Sequence, residues 1–307
     1  MNRRTFFKRA GLTAVAGSTL GFGSLERALA GSMARATGVP YDLVAVKGGE
    51  PEVMFDRGIE ALGGLGAFVK KGQTVVIKPN MGWDVPPERG GNTNPKLIKR
   101  IIEHCYQAGA RKVYLFDHTC DNWQKCYANS GIEAIARDAG ATVVPANSEG
   151  YFEEVSIPSG TNLKRAKEHE LVLEADVFIN VPILKNHGGA QLTMAMKNLM
   201  GNVWDRKTWH RDDLHQCIAD FATFRKPTLN VLDAYLVMKR NGPRGVSVDD
   251  VVLMKSQLLS TDMVTLDVAG SKLFGVNPND IRYITLAVAK GVGRPDLETL
   301  NIKRITL

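Results

Sequence analysis

The sequence predicts an α/β fold in which a mostly parallel sheet carries helices on both faces. Short runs rich in β-branched residues alternate along the chain with longer segments of helical periodicity. Three of these runs, at residues 75–77, 113–116 and 177–179, are apolar on successive positions. That pattern is typical of strands buried on both faces. No internal repeat or proline-rich linker interrupts the sequence, so one α/β domain is predicted over residues 31–307.

The predicted elements follow one another in a regular order. Strands are expected at residues 43–46, 74–78, 112–117, 142–144, 176–181, 228–233, 251–253 and 302–306. Helices are expected at residues 51–62, 95–108, 132–139, 191–200, 213–224, 263–274 and 281–289. Two strand-like stretches around residues 150–174 predict a β-hairpin inserted between the halves of the sheet.

The helix at 95–108 has the clearest start. Asn94 can accept a hydrogen bond from an unpaired amide of the first turn, and Pro95 lacks an amide that would go unused there. Cys105 lies on the same helical stripe as several aliphatic residues, which predicts a core thiol.

Residues 1–30 have the pattern of a twin-arginine export signal. Arg3 and Arg4 precede two aromatics and a lysine, a weakly apolar run follows, and Ala28-Leu29-Ala30 supplies a cleavage pattern. The run is too short and glycine-rich for a permanent membrane span. The sequence therefore predicts a soluble protein that uses the twin-arginine export machinery and resides in the periplasm or outside the cell.

Charge and cysteine spacing exclude two classes of partner or cofactor. The formal net charge of the whole chain is +7, but residues 1–30 hold five basic residues and one acidic residue, so +3 remains on the mature part. Such a small excess gives little electrostatic reason to bind nucleic acid. The four cysteines lack the spacing of an iron–sulfur ligand set, so no such cluster is expected on this chain. Pairing of Cys120 with Cys126 stays open.

Polar side chains follow several predicted strands, where an open parallel sheet binds its ligands. Lys78 and Asn80 stand at the end of one strand, Asp117 at the end of the next, and Lys185-Asn186-His187 after a third. A connection of about fifteen residues follows Lys78, and its length is typical of a binding loop.

The segment after His187 adds cationic and amide groups. In the predicted helix at 191–200, Lys197 lies opposite the apolar stripe and Asn198 follows it, while Gly188-Gly189 lets the backbone approach a ligand. Arg244 stands in a tight loop, where it can complete an anion clamp or form a solvated turn. The predicted ligand-binding residues are Lys78, Asn80, Asn94, Lys185, Asn186, Lys197, Asn198 and Arg244.

Candidate catalytic residues are His187 and Asp117. Either can move a proton, and the imidazole alone titrates near neutral pH without perturbation. A mononuclear metal site built from His118, His187, Asp117 and Asp233 is an alternative, although the histidines show none of the common metal-binding spacings. No residue is therefore assigned as a metal ligand.

Five segments together resemble the family named domain of unknown function 362. They are Lys78-Pro79-Asn80, Asn92-Thr93-Asn94-Pro95, Lys185-Asn186-His187, Met196-Lys197-Asn198-Leu199-Met200-Gly201, and residues 262–275. The resemblance covers most of residues 41–290. It implies a bacterial or archaeal protein whose relatives in some cases carry ferredoxin-like modules. Since this chain lacks the cysteine spacing, the resemblance implies at most an iron–sulfur redox partner.

Three functions are compatible with the sequence. The first is an exported α/β protein that binds a small anionic molecule at the carboxyl ends of its strands and uses acid/base chemistry on it. The second is a non-catalytic binding or maturation protein for a cofactor or an iron–sulfur partner. The third is a metal-dependent hydrolase. The sequence does not specify the substrate or any bound cofactor.

Overall fold

The computed structural model describes residues 38–307, and the export pattern at residues 1–30 lies outside this part of the chain. The strands are β1 (Leu43–Lys47), β2 (Thr74–Pro79), β3 (Lys112–Leu115), β4 (Thr142–Val143), β5 (Phe152–Ser156), β6 (Arg165–His169), β7 (Val177–Val181), β8 (Ile183–His187), β9 (Gln191–Thr193), β10 (Leu229–Met238), β11 (Val251–Ser260) and β12 (Ile302–Thr306).

The helices lie between these strands. They are α1 (Pro51–Ala61), α2 (Pro95–Gln107), α3 (Trp123–Asn129), α4 (Ile132–Asp138), α5 (Glu170–Glu174), α6 (Ala195–Asn198), α7 (Trp209–Asp212), α8 (Leu214–Phe221), α9 (Met263–Phe274) and α10 (Arg282–Ala289).

The main sheet has the order β12-β1-β11-β10-β7-β2-β3-β4. Every neighbouring pair on this path is parallel except the two pairs that involve β11. The prediction of a mostly parallel α/β sheet is confirmed. β8 continues beyond the end of β7 and pairs with β10, and β9 returns antiparallel to β8. The carboxyl ends of β2, β3 and β7 therefore meet at one edge of the sheet.

Two apolar layers cover the sheet, and alternation along its strands explains both. Val75 and Ile77 of β2 point into one layer together with the buried face of α2, whereas Val76 points into the other. Phe178 of β7 joins Val76, along with apolar residues of α8, α9 and α10. Helices thus pack on both faces, which is why the central strands are apolar on successive residues.

A hairpin is present in the predicted region, where β5 and β6 pair antiparallel as a separate two-stranded sheet. The second strand-like stretch of the prediction, at residues 170–173, is wrong, because it forms α5. The helix predicted at 191–200 is wrong in its first turn, because residues 191–193 form β9. The helical part is α6 followed directly by a 3-10 turn at Leu199–Asn202. The sequence also failed to indicate β8 and α3. No helix within residues 38–307 has the length and apolar character needed to cross a bilayer.

Candidate functional site

A small cleft opens at the carboxyl ends of β2 and β3, between the end of β8 and the start of α6. Its volume is about 50 Å³. Seven of the residues predicted from the sequence line it: Lys78, Asn80, Asp117, Lys185, His187, Lys197 and Asn198. The fold thus brings together side chains that are more than one hundred positions apart in the sequence.

Lys78 and Asp117 form a buried ion pair at the floor of the cleft. The Lys78 Nζ lies 3.0 Å from Asp117 Oδ1, and both side chains are almost completely buried. Asp117 Oδ2 accepts a hydrogen bond from the Met81 amide at 2.6 Å. Burial lowers the pKa of Lys78, while the Asp117 charge opposes that shift. Removing either side chain would therefore leave the charge of the other buried without a counter-charge.

Gly201 allows this pair to lie where it does. A Cβ atom at position 201 would stand 2.0 Å from Asp117 Oδ1 and 2.5 Å from Lys78 Nζ. No side chain fits in that space. The glycine also accepts a hydrogen bond from the His118 amide through its carbonyl at 3.0 Å, which holds the segment after β3 against the segment after α6.

Four buried or partly buried asparagines run from the cleft into the sheet. Asn80 Nδ2 donates to Asn198 Oδ1 at 3.0 Å, and Asn198 Nδ2 donates to Asn180 Oδ1 at 2.8 Å. Asn180 Nδ2 donates to Asn230 Oδ1 at 3.0 Å, and Asn230 Nδ2 donates to the Ser260 carbonyl at 3.3 Å. We call Asn80, Asn198, Asn180 and Asn230 the asparagine chain. It fixes the position of α6 relative to β2, β7 and β10.

Lys185 stands at the cleft end of the asparagine chain. Its Nζ donates to Asn80 Oδ1 at 3.2 Å and to the Gly91 carbonyl at 2.5 Å. Burial lowers the pKa of Lys185 to about 7, and the neighbouring Lys197 and Lys78 charges act in the same direction. The Trp83 ring lies 5.8 Å from this ammonium group, in the long loop after β2. Lys185 is thus positioned by oxygen atoms without a carboxylate partner.

Two polar groups of the cleft have no partner among the described residues. The Thr193 hydroxyl is buried and makes no hydrogen bond. The Lys197 side chain is partly buried and lines the cleft, yet no hydrogen bond or ion pair within residues 38–307 includes its Nζ. Burial lowers the pKa of Lys197 to about 8. Both groups remain available to a ligand.

His187 presents one ring nitrogen to the backbone. Its Nδ1 accepts hydrogen bonds from the Gly189 and Ala190 amides at 3.1 and 3.0 Å. An imidazole that accepts at Nδ1 carries its proton on Nε2. Burial, followed by the charges of Lys197 and Lys185, lowers the pKa of His187 to about 2. The neutral ring is therefore a hydrogen-bond donor, and proton abstraction by His187 stays a prediction.

Cations outnumber carboxylates around the cleft. Lys78, Lys185, Lys197 and Arg206 line it, and Asp117 is the one carboxylate among its described lining residues. Arg206 donates through Nη2 to the Thr119 carbonyl at 2.7 Å and to Cys120 Sγ at 3.4 Å. Burial is the main cause of the lowered lysine pKa values, and repulsion from neighbouring cations adds to it. An anion in the cleft would offset the excess of positive charge.

Three predicted binding residues lie outside the cleft. Asn94 caps α2 by accepting from the Lys96 amide at 3.0 Å, as the Asn94-Pro95 pair predicted. Asn186 accepts from the Gly242 amide at 3.0 Å, and the Arg244 Nε lies 3.2 Å from Asp121 Oδ2 at the surface. The fold does not bring these three to the cleft, and their polar groups hold loops and a helix; a binding role for them stays a prediction.

Sequence reasoning missed three of the residues that line the cleft as possible ligand contacts: Cys120, Thr193 and Arg206. Each reaches it from a loop or a short strand with no periodic pattern. Thr193 lies two residues before α6, so it had a signal in the sequence. Trp83 of the long loop, for which stacking on a ligand or anchoring of the loop is predicted, also lines the cleft.

The residues of the alternative metal site are not grouped as ligands. Within residues 38–307, no three His, Cys, Asp or Glu side chains converge in a way that could hold a metal ion. His118 Nδ1 contacts the Val203 carbonyl, and the Asp233 carboxylate accepts from the Asn94 and Tyr235 amides. All four cysteines are free thiols, so Cys120 and Cys126 are not joined, and Cys105 is buried as predicted.

Comparisons with known proteins agree with the resemblance found in the sequence. Residues 75–272 match the family model described as a domain of unknown function, DUF362. A thylakoid-associated protein of Synechocystis sp. is 28% identical over 244 residues, which cover 76% of this chain and 73% of that protein.

Solved structures give a more distant likeness. A protein of Thermotoga maritima has a TM-score of 0.46 at 9% identity, over 78% of this chain and 60% of that one. The lactate racemase apoprotein of Thermoanaerobacterium thermosaccharolyticum has a TM-score of 0.40 at 14% identity, over 76% and 57%. The chain thus spans less than two thirds of either structure. Because the family model matches well over half of its length, this chain belongs to the DUF362 family.

Proposed function

We propose that this protein binds a small oxyanion, a carboxylate or a phosphate group, in the cleft at the carboxyl ends of β2 and β3. The observation that carries the proposal is the pair of unpartnered groups at Thr193 and Lys197. A buried hydroxyl without a partner costs about 1–3 kcal/mol, and an oxyanion bound there would accept from it. The same ligand would neutralise the excess of cations.

The size of the cleft limits the ligand. A volume of about 50 Å³ holds only a few water-sized groups, since each needs roughly 10–15 Å³. That space suits a single carboxylate or phosphate group with few attached atoms. Lys197, Thr193 and the Nε2 proton of His187 supply donors of three different kinds, and charge-assisted bonds of this type each contribute about 1.5–3 kcal/mol.

Isothermal titration calorimetry with phosphate, sulfate and malonate tests the proposal. We expect binding of at least one anion, with affinity reduced at least about tenfold in Lys197→Met because one charge-assisted bond is lost. Lys207→Met is the matched control, since Lys207 is an exposed lysine next to Arg206 and does not line the cleft. Equal anion affinities in the two variants, or no binding by wild type at about 10 mM, a threshold that corresponds to only about −3 kcal/mol, would contradict the proposal.

Acid/base catalysis on the bound anion is a second candidate, supported by one feature. A pKa near 7 suits a group that moves protons at neutral pH, and Lys185 has such a pKa in a cleft that would hold the ligand. In D₂O, the methylene protons of malonate should exchange faster with wild type than with Lys185→Met, as followed by NMR. Binding without exchange would instead favour the non-catalytic alternative.

Export by the twin-arginine pathway is also proposed, on the pattern at residues 1–30. Replacing Arg3 and Arg4 together by lysine should leave the protein in the cytoplasm, whereas wild type should fractionate with the periplasm or the medium. Equal distribution of the two proteins in cell fractions would contradict export by this route. A role toward an iron–sulfur partner stays a prediction without a supporting contact.

A further inference from the structure

We propose that Lys197 is a nucleophilic amine that condenses with the carbonyl carbon of a small oxo acid held in the cleft. The inference rests on the proposed oxyanion site and names its substrate class: a molecule in which a carbonyl group lies next to the anionic group. The reasons are the different surroundings of the three cleft lysines and the groups that face Lys197.

The three lysines differ in what occupies their Nζ atoms. Lys78 is paired with Asp117 at 3.0 Å and donates to the Pro79 carbonyl at 2.7 Å, so it is held as an ammonium ion. Lys185 donates to two oxygen atoms, those of Asn80 and Gly91. Lys197 alone among these three has no partner in the described chain. Its lone pair, once the proton is lost, can therefore face a ligand.

Burial favours the neutral form of Lys197, whereas the charges around it act in both directions. Arg206 and Lys78 act on it as positive charges, while Asp117 and Cys120 act in the opposite direction. Burial is the largest influence, and the resulting pKa is about 8. A lysine that is desolvated beside other cations is a nucleophile at neutral pH. His187, which lines the same cleft, stays neutral and adds no charge.

The cleft also has groups that can bind the carboxylate of an oxo acid. Lys78 and Lys185 lie on the β2 and β8 side, and Thr193 and Lys197 on the side of β9 and α6. A carboxylate placed among the hydroxyl and the cations leaves an adjacent carbonyl carbon within the same small volume as the amine. A cleft of about 50 Å³ accommodates a molecule of this size and not a bulky one.

The chemical step is a condensation without any change of oxidation state. The Lys197 amine attacks the carbonyl carbon, a C–N bond forms, and the carbonyl oxygen becomes the hydroxyl of a carbinolamine. The C–O bond then breaks, and the oxygen leaves as water with the two protons that the amine has lost. The product is an imine between Nζ and the former carbonyl carbon.

Reductive trapping tests this step. The full chain is incubated with glyoxylate and cyanoborohydride, which reduces a protonated imine to a stable secondary amine, and the modified lysines are identified by peptide mass spectrometry. At pH 7.5 an amine with a pKa near 8 is neutral roughly 200 times more often than an ordinary lysine. We expect Lys197 to be labelled at least about tenfold faster than the exposed Lys207.

Two measurements distinguish failure of this inference from failure of the oxyanion site. Phosphate added to wild type should protect Lys197 and leave Lys207 labelling unchanged, and this comparison needs no variant that might misfold. Lys197→Arg should lose the specific adduct while Lys207→Arg keeps it. If phosphate binds but Lys197 is labelled no faster than Lys207, the imine proposal is wrong and the oxyanion site stands. If no anion binds at all, both are wrong.

Discussion

The asparagine chain and the cleft lie side by side, and they treat buried polar groups in opposite ways. From Asn80 to Asn230, each amide in the chain donates to the next acceptor, and the series ends on the Ser260 carbonyl. In the adjoining cleft, the side chains of Thr193 and Lys197 have no hydrogen-bond partner within residues 38–307. Buried polar groups are normally satisfied, so the contrast separates residues that hold the fold from residues kept for a ligand.

The two regions share the short helix α6, which explains how they can be so close. Asp267 of α9 accepts from the Ala195 and Met196 amides at 2.7 and 3.1 Å, and Asn198 enters the asparagine chain. Both ends of α6 are thereby fixed, while Lys197 between them faces the cleft. A positioned amine needs such support from its surroundings.

The largest expected effect concerns the ion pair below both regions. Asp117→Ala should lower the free energy of unfolding by about 3–5 kcal/mol, because it leaves the Lys78 ammonium buried without a counter-charge. Chemical denaturation measures the change. The double variant Lys78→Met/Asp117→Ala should recover a large part of the loss. Asp138→Ala, which breaks an exposed pair with Lys99, should cost less than about 1 kcal/mol; similar losses at the two sites would contradict the prediction.

The next effect depends on pH. The pKa of Lys185 is lowered in the folded state from 10.5 to about 7, so its favourable contribution is present at high pH and is lost as the pH falls toward 7. The free energy of unfolding of Lys185→Met, measured by chemical denaturation, should therefore rise by about 2–3 kcal/mol relative to that of wild type as the pH falls from 9.5 to 6.5.

The variant must be compared with wild type because other buried groups change the stability with pH in the opposite direction. Burial raises the pKa values of Asp267 and Glu168 to about 8, so their contributions are lost as the pH rises. These contributions cancel when the variant is subtracted from wild type. An exposed-site control, Lys112→Met, should show a flat difference across the same range, and a flat difference for Lys185→Met would mean that its pKa is ordinary.

A smaller effect is expected in the asparagine chain. Asn180→Ala removes donors to the Asn230 side chain and the Ala195 carbonyl and the acceptor for Asn198. Unfolding should become easier by about 1–3 kcal/mol, since buried groups lose their partners. Asn162→Ala, at an exposed position, should change stability by less than about 0.5 kcal/mol. Equal losses of stability in the two variants would mean that the asparagine chain does not hold α6 in place.

The smallest effect should have the opposite sign. Thr193→Val removes a buried hydroxyl that has no partner, so the unliganded protein should become more stable by about 0.5–1 kcal/mol, while anion affinity falls. Thr265→Val is the matched control, because that buried hydroxyl donates to the Arg294 carbonyl at 2.8 Å. It should destabilise by about 1 kcal/mol. Destabilisation by both substitutions would place Thr193 with the structural residues.

Local rules predicted the parts of the molecule that depend on near neighbours. Asn94 and Pro95 begin α2 as expected, and the apolar run at 75–77 forms the interior of β2. The rule that ligands bind at the carboxyl ends of parallel strands predicted that Lys78 and Asp117 belong to one site, because Lys78 lies near the end of β2 and Asp117 follows the neighbouring parallel strand β3.

Long-range pairing decided what the sequence could not specify. β8 and β9 form because β10 and a tight return offer hydrogen-bond partners, and the local periodicity at 191–200 favoured a helix instead. Arg206 reaches the cleft through its contact with the Thr119 carbonyl, a partner 87 positions away. Asn186 and Arg244 are predicted to bind because they follow predicted strands, yet their partners belong to loops whose paths no local pattern describes.

Gly201 makes the composition of the cleft testable by comparing sequences. Since any β-carbon there would overlap Lys78 and Asp117, substitutions at these three positions should be coupled during divergence. A relative with a larger residue at the position equivalent to 201 should also have replaced the lysine or the aspartate by something shorter. Relatives that keep the pair should keep the glycine, whatever else differs around the cleft.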